Sequence, residues 1–102
     1  MGINPDILIT WGAKKKKYKK GEMIFSEGDL PYCYYQIIRG EVKMVNIKDD
    51  GREFNQGVFK DAESFGEPPL IINKAYPSTA IACKETILYR LNRAHFFKIL
   101  ED

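Results

Sequence analysis

The sequence predicts a mainly β protein, an antiparallel β-roll with short helices flanking it, and three features carry that prediction. Between Met23 and Phe59 the apolar runs are short, and each stops at a turn-forming cluster that holds glycine, the spacing of successive hairpins. From Thr86 to Leu91 apolar residues alternate, and beyond Asn92 the period changes to that of a helix. Many short strands in a chain of 102 residues suit a roll, which closes its own edges.

Taken in order, Asn4-Pro5-Asp6 followed by Ile7, Leu8, Ile9 and Trp11 predicts a capped helix over about 4–12 that packs its apolar side on the domain, with Pro5 in its first turn and Gly12 as its stop. Lys14-Lys15-Lys16-Lys17-Tyr18-Lys19-Lys20 is the sharpest charge run. It reads either as a patch for nucleic acid or anionic lipid, or as a solvated helix end entering an edge strand whose lysines discourage edge pairing; the second reading is favoured. The β-roll is expected over about 18–91. Met23-Ile24-Phe25 ends at Glu27-Gly28-Asp29, Cys33 to Ile38 ends at Arg39-Gly40, Val42 to Ile47 ends at Asp49-Asp50-Gly51, and Arg52 to Phe59 returns. Gly40 and Gly51 are expected at positive φ or in tight turns. Thr79 to Cys83 and Thr86 to Leu91 give two more strands, the latter with Ile87, Tyr89 and Leu91 alternating against Leu88 and Arg90. Asn92 caps a last helix over about 93–102, with Phe96, Phe97 and Leu100 near helical spacing.

The length allows one domain, 1–102, and one hydrophobic core. With 44% hydrophobic and 29% charged residues the composition is that of a soluble globular protein, and a net charge of +2 is too small to imply nucleic acid or membrane by itself. Cys33 and Cys83 match no metal-binding spacing and read as buried reduced thiols. No metal site is expected. No apolar run approaches the ~18 residues of a membrane span, and no signal pattern marks the start, so a cytoplasmic protein is expected. His95, the one histidine, has no serine or cysteine beside it, and the carboxylates Glu63 and Glu67 lack a second motif, so no catalytic residue and no enzyme is expected.

Ligand chemistry converges on Phe65 to Ile81. Gly66 permits close approach of a ligand or positive φ, Glu67 adds a carboxylate, and Pro68 suits a first helical turn. Leu70, Ile71 and Ile72 supply the buried side of a very short helix, whose N-terminus would favour an anion, while Glu67 would favour hydroxyls. Glu67 also has a plain reading as a first-turn carboxylate that stabilises the helix dipole.

Together with Lys20 to Asp29, Gln36 to Lys43 and Asp49 to Glu53, this stretch resembles the cyclic nucleotide-binding domain of the catabolite activator/fumarate-nitrate regulator family, from about Tyr18 to Leu100. The resemblance implies a double-stranded β-helix of jelly-roll type and an effector-sensing domain of a transcriptional regulator. It implies a pocket at Gly66, Glu67, Pro77, Ser78 and Thr79, in which Gly66 and Glu67 contact a ribose hydroxyl and Ser78 and Thr79 lie where the family contacts phosphate. The family arginine that pairs with the cyclic phosphate falls at Pro77, and Lys74 is the nearest basic residue in sequence that can replace it. The implied effector is cyclic AMP, cyclic GMP or another small anion. Family regulators are homodimers that read DNA through a C-terminal domain, and this chain stops at Asp102, before such a domain, so no sequence-specific DNA binding is expected of it. The alternative is a degenerate domain that serves as a structural or protein-interaction module without a small ligand.

Overall fold

Helix α1 (Pro5–Thr10) leads into strands β1 (Lys14–Tyr18), β2 (Met23–Phe25), β3 (Cys33–Arg39), β4 (Val42–Ile47), β5 (Glu53–Phe59) and β6 (Ser64–Phe65). Helix α2 (Glu67–Ile72), strands β7 (Thr79–Ala82) and β8 (Thr86–Asn92), and helix α3 (Arg93–Glu101) complete the chain. The computed structural model describes residues 2–101. Every strand pairing is antiparallel, and the strands form two four-stranded sheets in the orders β1-β8-β3-β6 and β2-β7-β4-β5. The mainly β roll with flanking helices is therefore the observed architecture. The roll does not close its edges by pairing: β1, β6, β2 and β5 each border one neighbour only, and the edges are blunted by four lysines in β1 and by the shortness of β6 and β2. The lysine run is itself a strand, which begins the sheet at Lys14, four residues before the expected boundary.

Local chemistry sets the ends of these elements. Asn4 Oδ1 accepts from the Asp6 N–H at 2.8 Å, and Pro5 takes the first helical turn, so α1 starts where the sequence places it. Asn92 Oδ1 accepts from the His95 N–H at 2.8 Å and starts α3. Gly40 lies at φ +130°, against Thr86, at a point where a Cβ would clash with that residue's backbone, so only glycine serves in the β3–β4 turn.

The core has two layers separated by the β1-β8-β3-β6 sheet. Between the sheets lie Tyr18, Phe25, Tyr35, Ile37, Val42, Phe65, Tyr76, Ala80 and Leu88; on the other face Leu8, Tyr34, Leu70, Tyr89, Leu91 and Phe96 pack with the helices. This corrects the alternation read for β8. Leu88 is fully buried in the roll while Tyr89 and Leu91 are buried under the helices, because this strand is covered on both faces. Strand β3 is two-faced in the same way, and its buried Gln36 ties down the N-terminal segment: Oε1 accepts from Ile3 N (2.7 Å), and Nε2 donates to Ile3 O (2.8 Å).

Three helix readings also need correction. In α2 Leu70 is fully buried, but Ile71 and Ile72 are exposed, because a helix of barely two turns presents only one side chain to the sheet. Likewise Leu8 is buried in α1 between exposed Ile7 and Ile9, and Phe96 is buried in α3 while Leu100 is exposed. The thiols of Cys33 and Cys83 are free and half-buried rather than buried. No helix among the described residues is long and apolar enough to cross a membrane.

Candidate effector site

The stretch from Phe65 to Thr79 links the two sheets. Gly66 at φ +78° turns the chain from β6 into α2, and its backbone lies against two aromatic rings: a Cβ there would stand 3.2 Å from Phe25 and 3.3 Å from Tyr76. Those two rings stack on each other, with centroids 3.6 Å apart and planes 5° from parallel. The roll beneath is filled by further rings, with Tyr35 stacked on Phe65 at 5.5 Å and Phe59 tilted against Phe65 at 6.0 Å.

Helix α2 is a poor anion site. Its second and third residues are Pro68 and Pro69, which carry no N–H, so the first turn loses two of the donors that a helix N-terminus offers. Asn73 at φ 56° ends the helix, and the Lys74 N–H donates to Pro69 O at 3.1 Å. Lys74 then lines a shallow apolar hollow of about 300 Å³ with Pro68, Pro69, Ile72, Ala75 and Pro77. It is the basic side chain that the fold sets beside Pro77.

The chain is next pinned to the turn after β2: Gly28 N donates to Tyr76 O and Tyr76 N donates to Asp29 O, both at 2.9 Å. That pairing brings Glu27 and Asn46 to the Pro77–Thr79 segment. The Asn46 amide Nδ2 donates to Pro77 O (2.8 Å) and to Glu27 Oε1 (3.0 Å), while Glu27 N donates to Thr79 Oγ1 (3.0 Å). Pro77 is exposed, whereas Ser78 and Thr79 are buried. A carboxylate thus lies beside Pro77, and Thr79 Oγ1 and Pro77 O already have partners within the chain.

Glu67 is turned the other way. Its Oε2 accepts from Ser64 Oγ at 2.6 Å, and the pair lines a depression of about 260 Å³ under α3 with Ile3, Tyr34, Ile71 and Phe96. The fold groups Pro77, Ser78 and Thr79 with Glu27 and Asn46, Gly66 with Phe25 and Tyr76, and Glu67 with Ser64. Glu27 and Asn46 were not singled out from sequence. Glu27 lies 52 residues from Thr79, and Asn46 lies 31 from Pro77, so only the β2–β7 and β4–β7 pairings reveal them. The one chemical hint was a carboxylate inside Glu27-Gly28-Asp29, read there as a turn residue.

Burial pushes the phenols of Tyr35 and Tyr76 well above their ordinary range, so both stay neutral. Among the described residues no three His, Cys, Asp or Glu side chains are placed to hold a metal ion. His95 is exposed and lies 6.2 Å from the Trp11 ring.

Compared with known proteins, residues 15–102 match the cyclic nucleotide-binding domain. The chain belongs to that family. Among relatives of the domain, the cAMP-dependent protein kinase regulatory subunit of Yarrowia lipolytica is 33% identical over 94 residues, 92% of this chain and 24% of that subunit. The Thermus thermophilus catabolite activator protein superposes with a TM-score of 0.83 at 25% identity, covering 98% of this chain and 48% of that one. The regulatory subunit of a cAMP-independent protein kinase A from Trypanosoma brucei was solved as a triple mutant bound to cAMP. It superposes with a TM-score of 0.78 at 25% identity over 93% of this chain and 36% of that one. The domain thus spans less than half of the length of each of these relatives.

Proposed function

We propose that this domain is the effector sensor of a transcriptional regulator of the catabolite activator/fumarate-nitrate type, and that cyclic AMP and cyclic GMP are weak ligands for it. The likeness to the Thermus activator supports the regulator, and in that setting homodimerisation and DNA reading belong to parts of the protein beyond this domain. One observation supports the reading of the effector: Asn46 holds the Glu27 carboxylate beside Pro77, the residue at which the resemblance implies the phosphate-pairing arginine. A charge-assisted hydrogen bond contributes about 1.5–3 kcal/mol, so losing it costs roughly ten- to a hundred-fold in affinity before any repulsion from Glu27 is added. The trypanosome relative, a regulatory subunit of a cAMP-independent kinase, supports a member of this fold that does not answer to cyclic AMP.

The effector is then a small molecule that contacts Gly66, Ser78 and Thr79 with less negative charge than a cyclic nucleotide. Under the same proposal Glu67 reaches it only by leaving Ser64. A second reading, a domain that acts as a structural or protein-interaction module without a small ligand, is favoured by the internal partners of Thr79 and Pro77 O. Calorimetric titration with cyclic AMP and cyclic GMP tests the proposal. Micromolar or tighter binding by either would overturn it.

A further inference from the structure

The lysine run at Lys14–Tyr18 is a charged feature that the effector does not use. Strand β1 pairs with β8 alone, and among the described residues no backbone–backbone hydrogen bond of Lys14 to Tyr18 lies outside that pairing. In a strand with one neighbour every second residue turns its N–H and C=O outward, so β1 carries an open row of donors and acceptors. The strand lies in the sheet that holds neither Asn46 nor Thr79, apart from the network around Pro77.

Positive charge stands on both sides of that row. Lys14 and Lys16 are in register with Arg90 and Leu88, on the face of the roll interior, whereas Lys15 and Lys17 are in register with Tyr89 and Ile87, on the face that the helices cover. All four lysines are exposed. Lys17 meets Glu85 at 3.5 Å, while Lys14, Lys15 and Lys16 have no ion pair among the described residues. Arg90, exposed as well, adds a cation opposite Lys14.

This pattern selects its occupant. A second copy of β1 is disfavoured, because pairing would set lysine against lysine on both faces. A flat anion, such as a phosphate backbone or a membrane lying on one sheet face, meets two of the four lysines and leaves the backbone row unused. An extended acidic segment uses both features. Its backbone completes the row, and its side chains alternate between the same two faces, with Cβ atoms about 4.5–5.5 Å from those of the lysines directly opposite. We propose that β1 is a docking edge for an extended acidic segment of a partner protein, which adds as a fifth strand to the β1-β8-β3-β6 sheet. The lysines thus keep like edges away and admit a strand of opposite charge.

The test is an NMR titration of the whole chain, at low ionic strength, with the capped peptide Thr-Glu-Glu-Val-Glu-Glu-Thr and with its counterpart Thr-Lys-Lys-Val-Lys-Lys-Thr. The acidic peptide should shift the amides of Lys14 to Tyr18 and slow hydrogen exchange at every second one of them, the outward row; the lysine peptide should do neither. The pair Lys14→Gln with Lys16→Gln, and the pair Lys15→Gln with Lys17→Gln, should each weaken binding by about two- to thirtyfold, since exposed ion pairs contribute little apiece and both faces take part. Absence of binding, equal binding of the lysine peptide, unchanged exchange of the outward amides, or a loss confined to one of the two lysine pairs would overturn the proposal. Full displacement of the acidic peptide by duplex DNA or by phosphatidylserine vesicles at equal negative charge would overturn it too, and would assign the edge to a nucleic acid or a membrane.

Discussion

Replacing Glu67 separates its two roles. A lone carboxylate in the first turn of a six-residue helix would contribute about 0.3–1 kcal/mol through the helix dipole. The structure instead gives it a 2.6 Å bond from the Ser64 hydroxyl in a half-buried setting. A hydrogen bond to a charged group contributes about 1.5–3 kcal/mol. For a 102-residue chain, unfolding entropy near ~2.1 cal/mol/K per residue converts that to a fall of about 7–14 °C in melting temperature for Glu67→Ala. Glu67→Gln keeps an acceptor and should lose about half as much. Thermal melts of Glu67→Ala, Ser64→Ala and the double variant measure the pair, and the coupling should exceed about 0.5 kcal/mol, the level at which independent sites add. Additive losses, or a Glu67→Ala melt within about 3 °C of the parent with effector binding abolished, would refute the reasoning and return Glu67 to the ligand.

Pro77→Arg should strengthen cyclic-nucleotide binding, because arginine offers a planar fork matched to phosphate. Glu27 will compete for it, so the gain in a titration should be larger in Pro77→Arg with Glu27→Gln than in Pro77→Arg alone; equal gains would remove Glu27 from the site. The tyrosines predict alkaline weakening. With the folded-state pKa values of Tyr18, Tyr34, Tyr35 and Tyr76 raised above 10.0, their contribution is complete below that pH and is lost as pH rises through the folded values, so melting temperature should drop above about pH 10 and drop less in Tyr35→Phe. In α2, Leu70→Ala should cost about 2–5 kcal/mol in denaturant unfolding, whereas Ile72→Ser should stay within about 0.5 kcal/mol.

The parts of the fold that were legible in sequence are those written in local chemistry. Gly40 and Gly51 both take positive φ, and the Asn4 and Asn92 caps form as expected, because turn and cap residues act on their own backbone. The two-residue strand β6 was hidden, since Ser64-Phe65 is too short to show a period and exists only by pairing with Tyr35 and Gln36. The exposure of Ile71 and Ile72 was hidden as well, because it depends on which side of α2 faces the sheet. At the candidate site the sequence shows Pro77 at the position where the resemblance implies a phosphate-pairing arginine. The neighbouring carboxylate, Glu27, became visible only when strand pairing brought it beside Asn46 and Thr79.

The central claim is that this member of the cyclic nucleotide-binding family has lost the electrostatics for a cyclic phosphate. Isothermal titration of the unmodified chain with cyclic AMP at physiological salt tests it most directly. The account predicts a dissociation constant well above micromolar, and a micromolar or tighter constant would contradict it by showing that Lys74, Ser78 or another group supplies the missing contact.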